Sequence, residues 1–382
     1  MSSSLLRGFP SSSSPPPSPI NDLRRSAPLS TTKNSTWSTQ QGIIYHYQDP
    51  YYIRGVNFNG VESNCRVFLG LFDHPLSFFL DYLQHHDFNA IRVPIPYEVM
   101  NDMEIPIGDC ISQEHEVFYP AMTTGDMIHV FLEECYQRNI SVLFDLHTIG
   151  GVITPLPYTT TVSEDWVIQA WIQFMARVYG HPATMGFELK NEPHNEGGNV
   201  YSYHDFIIHC TKIISAIDTY LPDFDQLLFL SGVQLNSSPW GGGYPQSSWI
   251  EDMKLLLPYQ EKYSFVFCPH VYGTSVRGES VSLENDDTWE SNYGFITTVS
   301  EDGWNEYPII PTELGGFLTG SDADYYVRWS DYHIRKKNLI GGFFWWTLGP
   351  FSQDTKGLLQ EGSYATEEQK LQFILKNTIS MT

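Results

Sequence analysis

The sequence predicts an α/β protein of the (β/α)8 TIM-barrel class, preceded by a disordered N-terminal extension. Three observations support this fold. Beyond residue 43, short β-rich runs alternate with amphipathic helical windows about eight times, and such alternation is typical of parallel strands. The 382 residues suit one barrel with a tail. Polar residues also recur where the predicted strands end. We therefore assign residues 43–382 to one barrel domain.

Eight strands and the helices between them can be placed by their hydrophobic patterns. The strands contain consecutive or alternating apolar residues, and the helices repeat them at three- and four-residue spacing. An open, doubly wound sheet is the alternative, but it normally has a GxGxxG turn after an early strand, which IRGVNFNG lacks. The predicted strands are Ile53–Asn57, Ala90–Val93, Ser141–Leu146, Thr184–Leu189, Leu227–Ser231, Ser264–Cys268, Ile309–Thr312 and Gly342–Trp346. The predicted helices are Leu76–His86, Met127–Asn139, Glu164–Tyr179, Tyr203–Tyr220, Trp289–Val299 and Tyr325–Lys337.

Residues 1–42 form a separate segment of different composition. They include the run SSSSPPPSP and almost no periodic apolar pattern, so they cannot bury enough surface to offset chain entropy. We expect this segment to be disordered, and either an organelle transit segment or a Ser/Pro linker fits its composition. A secretory signal is disfavoured, because Leu5 and Leu6 are the only consecutive apolar pair where a longer apolar core should lie.

Charge and cysteine usage exclude several classes of partner. The formal net charge of −23 opposes binding to nucleic acid and to anionic membranes. No uncharged run reaches the ~20 apolar residues of a membrane span, so we expect no membrane insertion. The five cysteines lie without any CxxC spacing, which indicates neither a zinc site nor a disulfide framework. We expect most of them to be buried as small hydrophobic residues.

Polar residues at the ends of six predicted strands are candidates for a functional site. In a barrel, the carboxyl ends of the strands line one mouth. Each residue also has a structural interpretation: Arg92 could pair with a buried acid, and His147 could hydrogen-bond Asp145. Of the adjacent Trp345 and Trp346, only one can face inward. The candidates are Arg92, His147, Asn191, Glu192, His270, Tyr272, Glu313 and Trp346.

Glu192 and Glu313 carry the chemical hypothesis. They follow the fourth and seventh strands, so their side chains can meet across the mouth of an eight-strand ring. Two carboxyl groups about 5–5.5 Å apart suit retaining glycoside hydrolysis, one as nucleophile and the other as acid. We expect repulsion from the ionised partner to raise the pKa of the acid. Glu188 is interpreted as an ion-pair partner of Lys190, and Glu196 as a solvated loop residue.

The chain resembles glycoside hydrolase family 5, a family of retaining (β/α)8 barrels, over roughly residues 50 to 365. The resemblance rests on six stretches: NEP after GFEL, PIIPTELGG, IRVPI, DLH, PHVYG and FFWWTLGPFSQDTKGLL. A seventh, GVQLNSSPWGGGYP around Trp240, resembles the endoglucanase members. Two departures stand out. Leu314 occupies the place of a more common phenylalanine, and the run from Gln353 to Gly357 differs from the family's GDTGG.

The resemblance implies a role for each candidate. Glu192 is implied as the acid/base and Glu313 as the nucleophile. The residues implied to contact the −1 sugar or the two catalytic carboxylates are Arg92, His147, Asn191, His270, Tyr272 and Trp346. Trp240 is implied to lie in an outer subsite. Asn191 would bind the 2-hydroxyl, and Trp346 would stack on the sugar face. No cofactor and no metal is expected.

The function that follows is an endo-β-1,4-glucanase acting on a β-glucan polysaccharide or oligosaccharide, and we expect a monomer. A β-mannanase of the same family is the alternative, because the loops that line the subsites determine which sugar the enzyme accepts. A metal-dependent amidohydrolase-like barrel would need HxH on the first strand, and a non-catalytic sugar-binding barrel would be expected to lack a catalytic glutamate. A polymeric substrate suggests export, and Asn34, Asn139 and Asn236 lie in N-x-S/T triplets, but no signal peptide is visible.

Overall fold

A computed structural model describes residues 36–108, 110–112, 117–118, 122–194, 201–235, 238–297, 307–336 and 340–379. The strands are β1 Trp37–Gln40, β2 Ile43–His46, β3 Asp49–Tyr51, β4 Ile53–Asn57, β5 Ala90–Pro96, β6 Ser141–Thr148, β7 Thr184–Glu188, β8 Leu227–Ser231, β9 Val233–Leu235, β10 Ser238–Gly243, β11 Phe265–Cys268, β12 His270–Tyr272, β13 Glu313–Gly315 and β14 Gly342–Trp345. The helices are α1 Leu76–His85, α2 Tyr97–Asn101, α3 Thr124–Tyr136, α4 Glu164–Val178, α5 Tyr203–Tyr220, α6 Trp249–Met253, α7 Thr274–Arg277, α8 Asp286–Asn292, α9 Gly320–Arg335 and α10 Glu368–Asn377.

Nine of these strands form the parallel barrel that the sequence predicts. Their order in the sheet is β11-β8-β7-β6-β5-β4-β14-β13-β12. β11 and β12 are two halves of the sixth barrel strand, separated only by Pro269. β11 pairs with β8 on one side and β12 pairs with β13 on the other, while Phe267 of β11 also bridges Ile309 ahead of β13. The ring is therefore closed at this strand.

An antiparallel sheet of β1, β2 and β3 closes the amino-terminal end of the barrel. β1 pairs with β2 from Trp37 opposite His46, and the rings of these two residues stack 4.1 Å apart. Trp37, Ile44 and Tyr51 share one hydrophobic cluster with residues inside the barrel, including Phe344. β1 lies ahead of the predicted domain start at residue 43 and belongs to this sheet. Residues 1–35 of the predicted disordered segment lie outside the described residues.

The predicted helices are observed with small shifts at their ends. α5 has the predicted bounds, and Ser202 and Asp205 form a capping box at its start, which satisfies amide groups that lack partners in the helix. The window Trp289–Val299 is divided into α8 and a 3-10 turn, Gly294–Thr297. α9 begins five residues before the predicted Tyr325. These helices surround the barrel and bury its outer face.

The seventh strand differs from its prediction. Within the predicted range Ile309–Thr312 only Ile309 forms a bridge, and the regular pairing starts at Glu313. Pro308 and Pro311 have no amide hydrogen to donate to a neighbouring strand, so they interrupt a regular ladder. The strand is consequently short, and Glu313 opens it rather than following it.

Two cysteines form a disulfide that the sequence did not predict. Cys65 and Cys110 are bridged, with their Cα atoms 5.7 Å apart. They lie in the loops that follow β4 and α2, and Gly108 donates its amide to the Cys65 carbonyl at 2.8 Å. The expectation of buried cysteines is met by Cys135, Cys210 and Cys268, which are free.

None of the helices among the described residues has the length and apolar character needed to cross a membrane.

Candidate active site

The barrel brings the predicted site residues to its carboxyl-terminal mouth. Arg92 lies in β5 and His147 in β6, whereas His270 and Tyr272 begin and end β12. The remaining candidates lie at or just beyond strand ends: Glu313 opens β13, Asn191 and Glu192 follow β7, Trp346 follows β14, and Trp240 lies in the β9–β10 hairpin.

Glu313 is fixed by a hydrogen bond to each of its oxygens. Arg92 donates from Nη1 to Oε1 at 2.7 Å, and the Tyr272 hydroxyl donates to Oε2 at 2.5 Å. Only 3% of Glu313 is exposed. Burial, together with the neighbouring Glu313 charge, raises the pKa of Tyr272 well above its usual value. The phenol therefore keeps its proton and remains a donor to the carboxylate.

Arg92 makes its bidentate contact with Glu188. Nε donates to Oε2 at 2.8 Å and Nη2 to Oε1 at 3.1 Å, and both side chains are completely buried. Glu313 receives one hydrogen bond from Arg92. The predicted Glu188–Lys190 pair is also wrong, because Lys190 donates to the carbonyl of Asn191. Adjacent barrel strands bring Glu188 to the guanidinium instead.

Glu192 faces His270 across the mouth. The Nδ1 atom of His270 lies 2.9 Å from Oε1 of Glu192 and 3.4 Å from Oε2 of Glu313. These three donor atoms all lie within 4.8 Å of one another. Both carboxyl groups therefore border one small space, as two residues on strands four and seven were predicted to do.

The pKa values in this cluster differ from the sequence expectation. Burial lowers the pKa of His270, but the charges and hydrogen bonds of Glu313, Glu188 and Glu192 outweigh it and raise the pKa to about 10. Burial raises the pKa of Glu192, yet the hydrogen bond and charge of His270 reverse this and leave it below the usual value. The expected increase for Glu192 is wrong because the hydrogen bond and charge of His270 act on it more strongly than burial does.

Two aromatic rings and one histidine form a wall of the site. The rings of His147 and Trp346 are parallel, with centroids 5.7 Å apart, and Nδ1 of His147 lies 2.9 Å from Asp145. Trp346 is partly exposed, whereas Trp345 is fully buried, as the alternation of strand faces predicts. Trp240 is 38% exposed, and its neighbour Gly241 packs against Glu192.

Asn191 has one satisfied and one unsatisfied end. Its Oδ1 accepts a hydrogen bond from Nη2 of Arg92 at 2.8 Å, which fixes the orientation of the amide. Its buried Nδ2 has no hydrogen-bond partner in the part of the chain that the structure describes. Glu192, the next residue, has a positive φ of 46°, a conformation that a residue with a side chain rarely adopts and that is concentrated at functional sites. The backbone thus turns sharply where the two side chains enter the site.

Four polar residues of this region were not among the candidates. Asn57 accepts from Arg92 at 2.9 Å, and Ser231 donates to Glu188 at 3.0 Å. Burial lowers the pKa of Lys190 to about 8, and burial raises that of Glu62, which interacts electrostatically with His147. The available signal for Asn57 and Lys190 was a polar residue at or just beyond the end of an apolar strand. Glu196 lies outside the described residues.

The comparison with known families decides what kind of barrel this is. A profile of the family described as Cellulase (glycosyl hydrolase family 5) matches residues 52–352. The chain belongs to glycosyl hydrolase family 5. As a family 5 protein it is a glycoside hydrolase, and the (β/α)8 fold is the one expected from its sequence.

Curated relatives of this family 5 protein are bacterial endoglucanases. An endoglucanase of Paenibacillus polymyxa is 26% identical over 80% of this chain and 77% of its own length. The major extracellular endoglucanase of Xanthomonas campestris is 24% identical over 84% of this chain and 66% of its own length. The chain therefore spans between two thirds and about three quarters of these relatives.

Solved structures of similar fold include endocellulases. An endocellulase from Pyrococcus horikoshii, in a complex with cellotetraose, superposes with a TM-score of 0.75 at 23% identity, over 89% of this chain and 98% of the other. The catalytic domain of the Xanthomonas campestris enzyme gives a TM-score of 0.75 at 21% identity, over 89% and 99% of the two chains. At these identities the likeness concerns the fold.

Proposed function

We propose that this family 5 glycoside hydrolase is a retaining endo-β-1,4-glucanase in which Glu313 is the nucleophile and Glu192 the acid/base. One observation carries the assignment: both carboxyl groups face the same space, with the donor atoms of Glu192, His270 and Glu313 within 4.8 Å of one another. Retaining enzymes need their two carboxyl groups about 5–5.5 Å apart, whereas inverting enzymes leave room for a water between them. The close spacing favours double displacement.

Glu313 suits the nucleophile because its surroundings stabilise a carboxylate and restrict its orientation. The guanidinium of Arg92 and the hydroxyl of Tyr272 each donate to a different oxygen, and charge-assisted hydrogen bonds of this kind are the stronger ones. Oε2 attacks the anomeric carbon as the bond to the leaving oxygen breaks. The product of this step is a covalent glycosyl-enzyme.

Glu192 suits the acid/base because it shares a proton with His270. The two groups, 2.9 Å apart, hold one proton between them either as carboxylate with imidazolium or as carboxylic acid with imidazole, and the pair titrates as a unit. A bound sugar excludes water and disfavours the charged form of a buried group. The proton then moves to Glu192 and onto the leaving oxygen, and Glu192 next activates the water that releases the sugar.

Three further side chains are proposed to position the −1 sugar. The free Nδ2 of Asn191 is aimed to donate to the 2-hydroxyl, a contact that strengthens in the oxocarbenium-like transition state. Trp346 offers a flat face to the ring, and His147 lies against it with a donor for a hydroxyl. Trp240, exposed beside Glu192, provides a platform for the next sugar on the leaving-group side.

The substrate class is proposed from the relatives. Curated relatives are described as endoglucanases, and the Pyrococcus horikoshii structure is an endocellulase in a complex with cellotetraose, so we propose a β-1,4-glucan as the substrate of this chain. The strongly acidic chain favours an uncharged glucan, and we propose that it acts as a monomer without nucleic-acid partners. Hydrolysis of carboxymethylcellulose should exceed that of mannan, and turnover of mannan alone would contradict the glucan assignment.

The roles of the two glutamates can be separated by chemical rescue with azide. An aryl β-cellobioside with a good leaving group needs little acid assistance, so Glu192→Ala should accumulate glycosyl-enzyme, and azide should release it as the β-glycosyl azide. Glu313→Ala leaves a gap at the opposite face, where azide should yield the α-glycosyl azide. The assignment fails if both variants give the same anomer, or if Glu313→Ala retains wild-type hydrolysis without azide.

A further inference from the structure

Glu192, His270 and Glu313 have donor atoms arranged as in a metal site. They come from three separate parts of the mouth. The two carboxylates offer lone pairs toward the common space, and Nδ1 of His270 offers one once its proton has been displaced. Zn²⁺ binds nitrogen and oxygen ligands at about 2.0–2.1 Å in tetrahedral geometry, which places neighbouring ligand atoms about 3.3 Å apart. The distances from Nδ1 of His270 to the two carboxylates are 2.9 and 3.4 Å. Two edges of a tetrahedron are thus nearly in place.

We propose that these three side chains bind a Zn²⁺-like divalent ion, which occupies the space between the two carboxyl groups and blocks the active site. The ion takes the place of the hydrogen between Nδ1 of His270 and Oε1 of Glu192. The fourth tetrahedral position faces the open mouth, where a water molecule completes the coordination. This inference goes beyond the proposed hydrolase function, since binding of the ion requires no turnover.

The ligand atoms retain the lone pairs that an ion needs. Oε2 of Glu313 accepts one hydrogen bond, from Tyr272, and a carboxylate oxygen has two acceptor sites. Oε1 of Glu192 lies 2.9 Å from Nδ1 of His270, and a carboxylate oxygen has a second acceptor site beyond such a contact. The Arg92 contact is on the other oxygen of Glu313, so the guanidinium positions the carboxylate without covering the proposed coordination site.

A carboxylate also lies behind the histidine. Among the described residues, the buried Nε2 atom of His270 has no hydrogen-bond partner, and Oε1 of Glu188 lies 3.7 Å away. Metal-binding histidines commonly direct their second nitrogen toward a carboxylate, which fixes the tautomer and raises the basicity of the ligand. A small movement would bring this contact to hydrogen-bond length, and Arg92 already holds Glu188 in place.

The charges near the site favour a divalent cation. Asp145, Glu188, Glu192 and Glu313 place four carboxylates in this region, whereas Arg92 and Lys190 supply the positive charge near them. A doubly charged ion balances the remaining negative charge. Because one ligand is an imidazole nitrogen, Zn²⁺ is favoured over Mg²⁺ and Ca²⁺, which select oxygen ligands.

Isothermal titration calorimetry of the intact protein tests the proposal directly. Zn²⁺ should bind at one strong site, and MgCl2 at the same concentration should give no comparable signal. Glu192→Gln and Glu313→Gln each remove one anionic ligand with little change in shape, so each should weaken Zn²⁺ binding at least tenfold. A soluble cello-oligosaccharide should also weaken it, because the sugar and the ion compete for the same space.

A surface histidine provides the matched control. His204 is half exposed and its Nδ1 lies 2.9 Å from Asp252, a pair able to bind Zn²⁺ adventitiously. His204→Gln should leave the strong site unchanged. The proposal is overturned if His204→Gln abolishes the binding, if both glutamine variants bind as tightly as wild type, or if the oligosaccharide has no effect on the affinity.

The outcome is distinguishable from that of the proposed function. Thermal unfolding of each variant first establishes that it is folded, and Zn²⁺ should raise the midpoint only where it binds. If Glu313→Gln loses Zn²⁺ but keeps hydrolytic activity, the catalytic assignment fails and the metal site stands. If Glu313→Gln and Glu192→Gln both lose activity but both keep wild-type Zn²⁺ affinity, the metal site fails and the catalytic assignment stands.

Discussion

Arg92 and Glu188 form a bidentate ion pair in the barrel interior, with Nε to Oε2 at 2.8 Å and Nη2 to Oε1 at 3.1 Å. Neither side chain is exposed. The remaining Nη1 and Nη2 hydrogens of Arg92 reach Glu313 and Asn191. Glu188 therefore holds the guanidinium in the orientation from which it positions two residues of the site.

Replacing Glu188 by Gln should destabilise the protein as well as impair hydrolysis. Breaking a buried ion pair from one side leaves a buried charge without full compensation, which costs about 3 kcal/mol. Urea denaturation would measure the free energy of unfolding. As a control, Arg335→Gln disrupts the exposed Arg335–Asp286 pair and should cost less than about 1 kcal/mol. Equal losses in the two variants would contradict a structural role for Glu188.

Replacing Asn191 by Ala should reduce kcat with a smaller effect on KM. The proposed contact to the sugar 2-hydroxyl strengthens in the transition state, and loss of one such donor reduces the rate by about 10²-fold. An aryl cellobioside lacking the 2-hydroxyl on its −1 ring is the matched probe. On that substrate wild type and Asn191→Ala should differ little, because neither complex has the hydrogen bond. A full 10²-fold difference there would place the role of Asn191 elsewhere.

The strands and helices of the barrel were predictable because the sequence features that identify them lie within each element. Apolar runs and helix periodicity depend on neighbours in the sequence, and they located seven of the eight barrel strands. The N-terminal sheet was missed because β1 and β2 are short and follow a Ser/Pro-rich segment. The seventh strand was displaced because two prolines interrupt an apolar run that otherwise has the composition of a strand.

The site was predictable in its membership but not in its pairings. Strand-end polarity and the family resemblance selected the residues that the fold brings together. The pairing of Arg92 with Glu188, and the effect of His270 on the pKa of Glu192, depend on which side chains meet across the ring. The Cys65–Cys110 bridge was missed for the same reason, because it joins two loops that are 45 residues apart in sequence.

Removing the Cys65–Cys110 bridge should lower thermal stability. A crosslink closing a loop of this length restricts the unfolded chain by about 4 kcal/mol in the chain-entropy account. The double variant Cys65→Ser/Cys110→Ser should therefore unfold at a lower temperature than wild type. A phosphine reductant should lower the wild-type midpoint toward that of the variant and leave the variant unchanged, since the other three cysteines are free. No response of wild type, once thiol titration shows the bridge reduced, would contradict the stabilising role.

Replacing His270 by Gln should shift the alkaline limb of the pH dependence of kcat/KM downward by more than one pH unit. In wild type the Glu192–His270 pair retains its proton to high pH, because the surrounding carboxylates raise the pKa of His270 to about 10. Activity falls as pH rises through the loss of that proton, since Glu192 can no longer donate one. In the variant Glu192 alone must hold it, and even a buried carboxyl releases its proton well below such a pH.

The comparison needs a variant that changes a histidine without touching the site. His204→Gln, on the surface, should retain the wild-type limb, and thermal unfolding at each pH identifies the range in which all three proteins are folded. An unchanged limb in His270→Gln would mean that another group supplies the proton. Glu192, whose pKa is lowered in the free enzyme, would then have no proton from His270 with which to act as an acid. The test thus separates a shared proton from one held by Glu192 alone.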